Sequence, residues 1–397
     1  MTKQALIVGG GIGGLAAALA CTRAGWEARV FEQAERFAEV GAGIQLGPNV
    51  TRVLAGWGLA DALADVAAFP QRLVARSAAS GGVLATRALG DCMRRDYGAP
   101  YATVHRADLH GLLLRALQAV PGIYLNLDVR VQSVEEQGPA VLLRAGAARV
   151  VEGDALVGAD GLWSRVRAAV TGVDEAPADT GHVAFRALVP REAWPDAVGA
   201  GDITVWLGPR LHVVAYPVRR GEQVNVVALA EGRFDGDRRD WDHGATAETT
   251  ALLAAAFAGT APALRALLGA VPAWRLWALC DRPPLVRPEQ MARGRLALLG
   301  DAAHPMRPYL AQGAGMAIED AAELARVLAQ DALDVPTALR RYALNRWQRC
   351  ARVQARAERN GRIFHADGPV RWGRDLALRL VGDKLLDAPW LYRGPVY

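Results

Sequence analysis

The first 32 residues show the hydrophobic pattern of a strand, a helix and a second strand. Residues 4–8 form a short apolar run, and residues 12–24 are rich in alanine and leucine. Gly25 stands where a helix C-cap is expected, and residues 27–32 then alternate between apolar and polar positions. This pattern predicts a βαβ opening.

Beyond this opening, the pattern predicts a largely β-rich middle followed by helices. A loop over 33–47 contains three glycines, and Pro48 can begin the next helix because its missing N–H is not needed there. The other predicted elements are β-rich structure over 71–104, a helix over 106–119, a meander of strands over 122–157, strands over 182–189, 202–207, 211–218 and 222–230, two helices within 246–269, strands near 274–280 and 295–299, and mainly helical structure over 311–360. The remaining C-terminal residues contain proline, glycine and aromatics, which indicates an ordered tail.

This order of elements predicts an α/β fold in which one Rossmann-like dinucleotide-binding domain is interrupted by a β-sheet domain. The predicted divisions are a discontinuous dinucleotide-binding domain over 1–70, 101–180 and 281–330, a β-rich substrate domain over 71–100 and 181–280, and a C-terminal helical segment over 331–397.

Length and composition exclude several classes of protein. With 397 residues, 52% of them hydrophobic, the chain can fill two packed domains. No apolar stretch of about 20 residues is free of charges, so no membrane span is predicted, and the apolar start is typical of a first strand rather than a secretory signal. The four cysteines are far apart and the seven histidines are scattered. We therefore expect no disulfide framework, no metal site and a cytoplasmic location.

The net charge of +5 comes almost entirely from arginine, since only Lys3 and Lys384 are lysines. A basic balance favours anionic small substrates and dinucleotides. The arginines are dispersed and no nucleic-acid-binding signature accompanies them, so nucleic acid is not an expected partner. The densest basic run, Arg340 to Arg362, has helical spacing and predicts a solvated helix face. The sequence leaves open whether the protein is a monomer or a homodimer.

Gly9, Gly11 and Gly14 fit the GxGxxG pattern between the first strand and the first helix. The first glycine permits the tight turn, the second lets the backbone approach a pyrophosphate, and the third lets helix and strand pack closely. Glu32 follows at the end of the second strand, where its carboxylate can accept from a ribose hydroxyl. The loop therefore predicts a dinucleotide site but does not choose between NAD and FAD.

Two later segments have the same strand-to-turn character. In residues 156–167 an apolar strand delivers Asp160 and Gly161 to the start of a helix. In residues 295–321 a buried strand places Asp301 at its carboxyl end, where ligands bind in open α/β sheets. The helix start that follows can bring backbone N–H groups close to a planar anionic ring.

With these three motifs in order, nearly the whole chain resembles the single-component (group A) flavoprotein aromatic hydroxylases. The resemblance implies a GR2-type FAD-binding fold like that of para-hydroxybenzoate hydroxylase. It implies that Asp160 and Gly161 form the motif that serves FAD and NAD(P)H, and that Asp301 holds the ribityl chain. The residues it implies for FAD binding are Gly9, Gly11, Gly14, Glu32, Gln33, Gln45, Arg106, Val131, Asp160, Asp301, Pro308, Gly313, Ala314 and Gly315. Tyr309 and Gln312 are expected on the substrate side.

Within this family the chain looks most like the branch of 3-hydroxybenzoate 6-hydroxylase, salicylate hydroxylase and 6-hydroxynicotinate 3-monooxygenase. The segments that carry this resemblance are 41–49, 101–110 and 208–217. It implies hydroxylation of a small phenolic or hydroxypyridine carboxylic acid with NADH or NADPH and O2, through a flavin C4a-hydroperoxide. A phenol must lose its proton to activate the ring, so a general base is expected.

His212 and Tyr216 are the candidate catalytic residues. They lie four apart in the predicted strand 211–218 and therefore point to the same face. Histidine can take up a proton near neutral pH. The resemblance implies that this pair engages the ring hydroxyl of the substrate.

Three departures from the branch leave the substrate open. Gln45 and Tyr309 stand where the hydroxynicotinate enzymes have histidines, and Pro308 stands where the 3-hydroxybenzoate enzymes tend to have glutamine. A substrate carboxylate would favour an arginine, and the candidates are Arg186, Arg210, Arg219 and Arg307. Three alternatives remain: a flavin oxidase or dehydrogenase on the same fold, a decarboxylating hydroxylase of the 6-hydroxynicotinate type, and a non-catalytic flavin-binding module.

Overall fold

The computed structural model of the chain describes residues 2–37, 42–146, 149–194, 199, 201–240 and 242–395. The strands are β1 (Gln4–Val8), β2 (Glu27–Phe31), β3 (Gly43–Leu46), β4 (Arg72–Ser77), β5 (Val83–Ala88), β6 (Ala102–His105), β7 (Ile123–Asn126), β8 (Val131–Gln137), β9 (Ala140–Ala145), β10 (Arg149–Gly153), β11 (Ala155–Gly158), β12 (Ala178–Pro190), β13 (Ile203–Gly208), β14 (Leu211–Val218), β15 (Gln223–Glu231), β16 (His243–Gly244), β17 (Arg275–Asp281), β18 (Ala292–Arg293) and β19 (Leu296–Leu298). The helices are α1 (Ile12–Arg23), α2 (Pro48–Gly56), α3 (Ala60–Ala64), α4 (Gly90–Tyr97), α5 (Arg106–Gln118), α6 (Val166–Thr171), α7 (Ala247–Phe257), α8 (Pro262–Gly269), α9 (Gly313–Leu328), α10 (Val335–Phe364), α11 (Gly368–Leu386) and α12 (Pro389–Tyr392).

A six-stranded sheet in the order β18-β19-β11-β1-β2-β7 brings the three sequence motifs together. Its strands run parallel except for the edge strand β18. Val8 at the end of β1 is paired with Gly158 of β11, and Gly158 is paired with Leu298 of β19. Because parallel strands end at the same edge, the glycine loop, Asp160 and Asp301 all follow the carboxyl edge of this sheet. The predicted α/β fold with an interrupted nucleotide-binding sheet is confirmed.

The interruption is an eight-stranded mixed sheet in the order β16-β17-β12-β15-β14-β13-β4-β5. One face buries Leu211, Val213 and Ala215 of β14 in a core with α7 and α8. Because side chains alternate along a strand, the other face carries His212 and Tyr216. Tyr216 packs in a different core that also includes Met316 of α9. The sheet therefore turns its polar positions toward the first domain, while the domain boundaries given above remain a prediction.

Two details differ from the sequence expectations for 71–104. Residues Gly90–Tyr97 form a helix rather than β-structure. It buries only Met93 and Tyr97, which lie one helical turn apart, and Gly98 ends it with a left-handed conformation. Strand β6 leaves the eight-stranded sheet and pairs with β3 instead. Within 122–157, β8, β9 and β10 form an antiparallel meander, as predicted, whereas β7 and β11 at its two ends belong to the six-stranded sheet.

The expectation of a solvated face over Arg340 to Arg362 is wrong at one position. Arg346 is only 1% exposed and lies between two acidic residues of α9. Its Nε atom donates to Asp320 Oδ1 at 2.7 Å, and its Nη1 atom donates to Glu319 Oε2 at 2.8 Å. Helical spacing alone cannot separate an exposed arginine from one that a neighbouring helix has paired and buried.

The same carboxylates extend the network into the turn after β19. Asp320 Oδ2 accepts from the backbone N–H of Gly300 at 3.1 Å and lies 2.6 Å from His304 Nε2. Burial alone would raise the pKa of Asp320, but the positive charges of His304 and Arg346 bring it down to about 2. No helix in the described parts of the chain combines the length and apolar character needed to cross a membrane.

Replacing Arg346 with methionine should destabilise the protein by about 3–5 kcal/mol, because two buried carboxylates each lose a charged partner. The measurement is the free energy of unfolding in urea at neutral pH. The control is Arg144→Met, which breaks an ion pair with Glu135 in which both side chains are about half exposed. We expect that change to stay within about 1 kcal/mol, and equal losses in both variants would contradict the role of the buried network.

Candidate active site

The glycine loop between β1 and α1 is shaped so that only glycine fits at two of its positions. Gly9 has a φ of +104°, and a Cβ there would collide with the carbonyl oxygen of Ala159. A Cβ at Gly14 would collide with the carbonyl oxygen of Gly9. Gly11 is the N-cap of α1, whose first N–H groups point toward the loop. The loop therefore offers a close backbone approach and a helix N-terminus to a pyrophosphate, as FAD requires.

Glu32 lies against this loop at the end of β2. Its carboxylate accepts from the backbone N–H of Gly10 at 2.6 Å and from that of Ala34 at 2.8 Å. The exposed Gln33 is next in the chain, and Val131 begins β8 two residues after Val129, whose N–H donates to the Glu32 carbonyl. The structure brings these predicted residues together, and Glu32 keeps lone pairs that can accept from a ribose.

Asp160 holds the turn that follows β11. Its carboxylate accepts from Ser164 Oγ at 2.6 Å and from the backbone N–H groups of Arg165 at 2.7 Å and Val166 at 3.3 Å. Burial raises the pKa of this carboxyl, whereas these hydrogen bonds lower it. Gly161 follows in a left-handed conformation with a φ of +73°. The carboxylate thus fixes the start of α6 beside Gly9, and any direct contact with a nucleotide remains a prediction.

Asp301, Arg106 and the start of α9 meet on the opposite side of the glycine loop. The Asp301 carboxylate reaches solvent, and its Oδ1 atom lies 3.8 Å from the position a Cβ would take on Gly313. The surrounding protein raises the pKa of Asp301, although the positive charges of Arg106 and His304 lower it. Arg106 is the first residue of α5, directly after β6. The surroundings of the Asp301 carboxylate therefore come from three separate segments: the turn after β19, the start of α5 and the start of α9.

The first turn of α9 presents unpaired N–H groups next to this carboxylate. Gln312 is the N-cap and is 2% exposed, and its Oε1 atom accepts from Asn49 Nδ2 at 3.2 Å. Gly313 and Ala314 follow, and a Cβ at Gly315 would lie 2.8 Å from a methyl group of Val50. This small-residue helix start can accept an anionic ring edge, which fits the pyrimidine side of a flavin. The exposed Pro308 stands in the turn before it.

Gln45 occupies a position between the two domains. Its Oε1 atom accepts from Tyr101 Oη at 2.8 Å, and both residues belong to or adjoin the small sheet of β3 and β6. Gly43 of the same strand packs directly on the ring of Tyr216, because a Cβ there would lie 2.5 Å from the Tyr216 Cε2 atom. The ring of Tyr216 therefore packs against strand β3.

His212 and Tyr216 face the same side of β14, as predicted, but they have different neighbours. Tyr216 packs with Tyr101 and Tyr392, whereas the ring of His212 lies 5.0 Å from the ring of Tyr309 and 5.5 Å from that of Phe364. Four residues of strand separate them by roughly 13 Å. The structure thus joins His212 with Tyr309 and not with Tyr216.

The sequence analysis missed His365, the residue that touches His212 most directly. The Nδ1 atom of His212 lies 2.8 Å from the Nε2 atom of His365, and both rings are buried. His365 is the C-cap of α10, beyond the predicted helical span. A histidine at a helix end carries no spacing signal that links it to a strand 153 residues earlier.

Burial leaves the His212 imidazole neutral. Burial, with His365 and His182 nearby, lowers the pKa of His212 well below its usual value. Tyr309 beside it is 3% exposed, and burial raises the pKa of its phenol. The Tyr309 hydroxyl has no hydrogen-bond partner among the described residues. The site therefore holds an imidazole able to accept a proton and a hydroxyl able to donate a hydrogen bond.

All four candidate arginines have an acidic partner. The nearest acidic oxygens lie at 2.9 Å for Arg186 with Asp242, 3.0 Å for Arg210 with Glu231, 3.3 Å for Arg219 with Asp108 and 2.5 Å for Arg307 with Asp281. Two of them adjoin the His212 pocket. The charge of Arg307 acts on Tyr309, and the backbone N–H of Arg210 donates to the His365 carbonyl.

Among the described residues, two groups of potential metal ligands have their ligating atoms within 4.8 Å of one another. They are His182 with Glu231 and His365, and His304 with Asp320 and Cys350. In the second group the Asp320 carboxylate already bonds Arg346 and Gly300. In the first group His365 already contacts His212. The expectation that the chain uses no metal remains a prediction.

Comparison with known proteins gives one consistent family. The "FAD binding domain" family model matches residues 2–357. The chain is 37% identical over 389 residues to 3-hydroxybenzoate 6-hydroxylase of Polaromonas naphthalenivorans, covering 98% of this chain and 95% of that protein. It is 39% identical over 351 residues to 6-hydroxynicotinate 3-monooxygenase of Bordetella bronchiseptica, covering 88% of each. The solved structure of HpxO of Klebsiella pneumoniae with FAD and uric acid matches with a TM-score of 0.86 and 27% identity, covering 99% of this chain and 97% of that one.

Replacing Asp301 with alanine should weaken FAD retention, because the carboxylate beside Gly313 can then no longer accept hydrogen bonds from the cofactor. The measurement is the flavin-to-protein ratio after gel filtration, together with the dissociation constant for added FAD. The control is Asp65→Ala, at the exposed C-cap of α3. A fully flavinated Asp301→Ala protein with unchanged affinity would contradict the predicted role.

Proposed function

We propose that this chain, which belongs to the FAD binding domain family of flavin-dependent aromatic-ring monooxygenases, hydroxylates a small phenolic or hydroxypyridine carboxylic acid. NADH or NADPH and O2 are its co-substrates. The observation that carries the proposal is the buried neutral imidazole of His212 beside Tyr309, three residues before the N-cap of α9. A substrate of the 3-hydroxybenzoate or salicylate kind is favoured, since one of the named relatives is a 3-hydroxybenzoate 6-hydroxylase.

FAD, when bound, takes electrons from NAD(P)H, activates O2 and supplies the oxygen atom that reaches the ring. The chain contributes binding and orientation. The glycine loop with Glu32 would hold the pyrophosphate and ribose, and Asp301 with the first turn of α9 would hold the ribityl chain and the ring edge. Because these groups belong to rigid elements of one sheet edge, they can fix the cofactor relative to β14.

His212 would act on the substrate rather than on the cofactor. By taking the phenol proton it leaves a phenolate, which donates electrons to the ring more strongly than the phenol does. Tyr309 and Phe364 surround the imidazole and keep water away from the reacting ring. Tyr216 would contact the substrate or the flavin edge from its separate position against Gly43.

For the substrate carboxylate we propose Arg307 as the partner. Of the four candidates, its charge is the one that acts on Tyr309, next to His212. Its Nε atom is held by Asp281, which fixes the plane of the guanidinium. Arg186 and Arg219 pair with acidic residues elsewhere, with Asp242 and Asp108.

A substrate panel tests the proposed reaction. The purified flavoprotein is mixed with 3-hydroxybenzoate, salicylate or 6-hydroxynicotinate, and NADH or NADPH oxidation is followed together with O2 uptake and product mass. We expect one of these acids to accelerate coenzyme oxidation and to yield a product with one added oxygen atom. Substrate oxidation without oxygen insertion would instead indicate a flavin oxidase or dehydrogenase, and release of CO2 a decarboxylating hydroxylase.

Replacing His212 with alanine should leave FAD binding intact and reduce ring hydroxylation by about 10²- to 10⁴-fold, the range that general base catalysis contributes. Coenzyme oxidation should then release peroxide, because the ring is not activated. The readouts are flavin content, product and hydrogen peroxide. His243→Ala is the control, since this histidine lies on the edge strand β16 and bonds the Asp237 carbonyl. Normal product formation by His212→Ala would rule out the base assignment.

A further inference from the structure

His212 is the first member of a line of polar groups that leads out of the buried pocket. Its Nδ1 atom lies 2.8 Å from His365 Nε2, and among the described residues no hydrogen bond engages its Nε2 atom. The other ring nitrogen of His365, Nδ1, has no hydrogen-bond partner among the described residues and lies 3.6 Å from Glu231 Oε1, which is beyond hydrogen-bond distance. The side chain of Glu231 is 33% exposed. Two imidazoles in hydrogen-bond contact thus lead from the pocket toward a carboxylate that reaches solvent, with a gap of 3.6 Å before the carboxylate.

The backbone fixes these three side chains relative to one another. The His365 carbonyl accepts from the backbone N–H of Arg210 at 3.0 Å, and the N–H of Glu231 donates to the Arg210 carbonyl at 3.1 Å. The Arg210 guanidinium also holds Glu231 Oε2, from Nε at 3.0 Å. The turn before β14 therefore ties the end of α10 to the end of β15.

The positions of the protons follow from this geometry. For His212 to accept at Nε2, its own proton must lie on Nδ1, from which it donates to His365 Nε2. A neutral His365 that accepts at Nε2 carries its proton on Nδ1, which faces Glu231. Each imidazole then accepts a proton at Nε2, on the side of the substrate pocket, and can release one from Nδ1, on the side of Glu231.

We propose that His365 and Glu231 form a proton exit relay that carries the substrate proton from His212 to solvent, an inference that rests on the proposed role of His212 as base. The phenol O–H bond breaks and an N–H bond forms at His212 Nε2. The Nδ1 proton of His212 moves to His365 Nε2, and the Nδ1 proton of His365 passes to the Glu231 carboxylate when the two side chains close the 3.6 Å between them. The substrate hydroxyl loses one proton and the Glu231 carboxylate gains one. Both imidazoles are neutral before and after the transfer.

The electrostatics of the pocket favour onward transfer over storage of the proton. Burial, His182 and Arg374 lower the pKa of His365 to about 3, and burial also lowers that of His212. An imidazolium in either position is therefore unfavourable, so a base that had to retain the proton would be weak. Glu231 lies nearest to the surface and can release the proton to water.

His182 belongs to the same cluster but lies outside the line of transfer. Its ring centroid is 5.2 Å from that of His365, and its Nδ1 atom lies 2.8 Å from the Thr180 carbonyl oxygen, which can only accept. The hydroxyl of Tyr309 and the guanidinium of Arg374 also face the cluster, but neither bonds the His365 ring nitrogens. The relay therefore predicts different consequences for His365 and His182.

The test compares His365→Gln and Glu231→Gln with the control His182→Gln in the flavin-loaded enzyme. A glutamine at 365 can still accept from His212 but cannot pass a proton on. Each variant is assayed with 3-hydroxybenzoate and with 2,4-difluoro-3-hydroxybenzoate, whose two fluorines acidify the phenol so that it is ionised at the assay pH. Flavin content and melting temperature are measured for every variant.

We expect His365→Gln and Glu231→Gln to slow hydroxylation of 3-hydroxybenzoate by about 10-fold or more, within the range of general base effects. The ionised analogue should react within about 2-fold of wild type, since it has no phenol proton to remove. His182→Gln should resemble wild type with both substrates.

Equal losses with both substrates, or the same loss in His182→Gln, would overturn the relay and leave a structural role. Wild-type rates in Glu231→Gln would also overturn the relay, because the proton would then not leave through that carboxylate. If His365→Gln does not fold, Glu231→Gln alone tests the relay. If wild type prefers another acid of the panel, that acid and its ring-fluorinated analogue replace this pair; if it hydroxylates none of the panel, it is the proposed function that fails.

Discussion

The buried guanidinium of Arg346 joins the cofactor side of the molecule to its C-terminal helices. It pairs with Glu319 and Asp320 on α9, and Asp320 also holds Gly300 and His304 in the turn after β19. Buried carboxylates are tolerated only when they are paired and hydrogen-bonded. This requirement holds α10 against α9 at the middle of both helices.

A parallel sheet brings the cofactor residues to one edge. Three strands end side by side at Val8, Gly158 and Leu298, and each is followed by a turn with a glycine of positive φ. The close packing of Gly9 against Ala159 leaves no room for a side chain. An FAD placed across this edge would meet a helix N-terminus at α1 and another at α9, which suits its pyrophosphate and its flavin ring.

The candidate chemistry depends on the second sheet and on the C-terminal helices together. Strand β14 presents His212 to the pocket, and the end of α10 supplies His365 and Phe364 around it. The family to which the chain belongs provides the reaction class, while the pairing of two imidazoles is a property of this chain's own packing.

The sequence by itself determined the features that are local and periodic. The βαβ opening, the glycine loop, the turns at Asp160 and Asp301, and the shared face of His212 and Tyr216 all follow from spacing within a few residues. Only the tertiary structure decided that Arg346 is buried, that Gly90–Tyr97 is a helix, and that His365 contacts His212. These outcomes depend on which surfaces pack together between separate elements, from 26 residues apart for Arg346 and Asp320 to 153 for His212 and His365, and hydrophobic periodicity carries no record of such pairing.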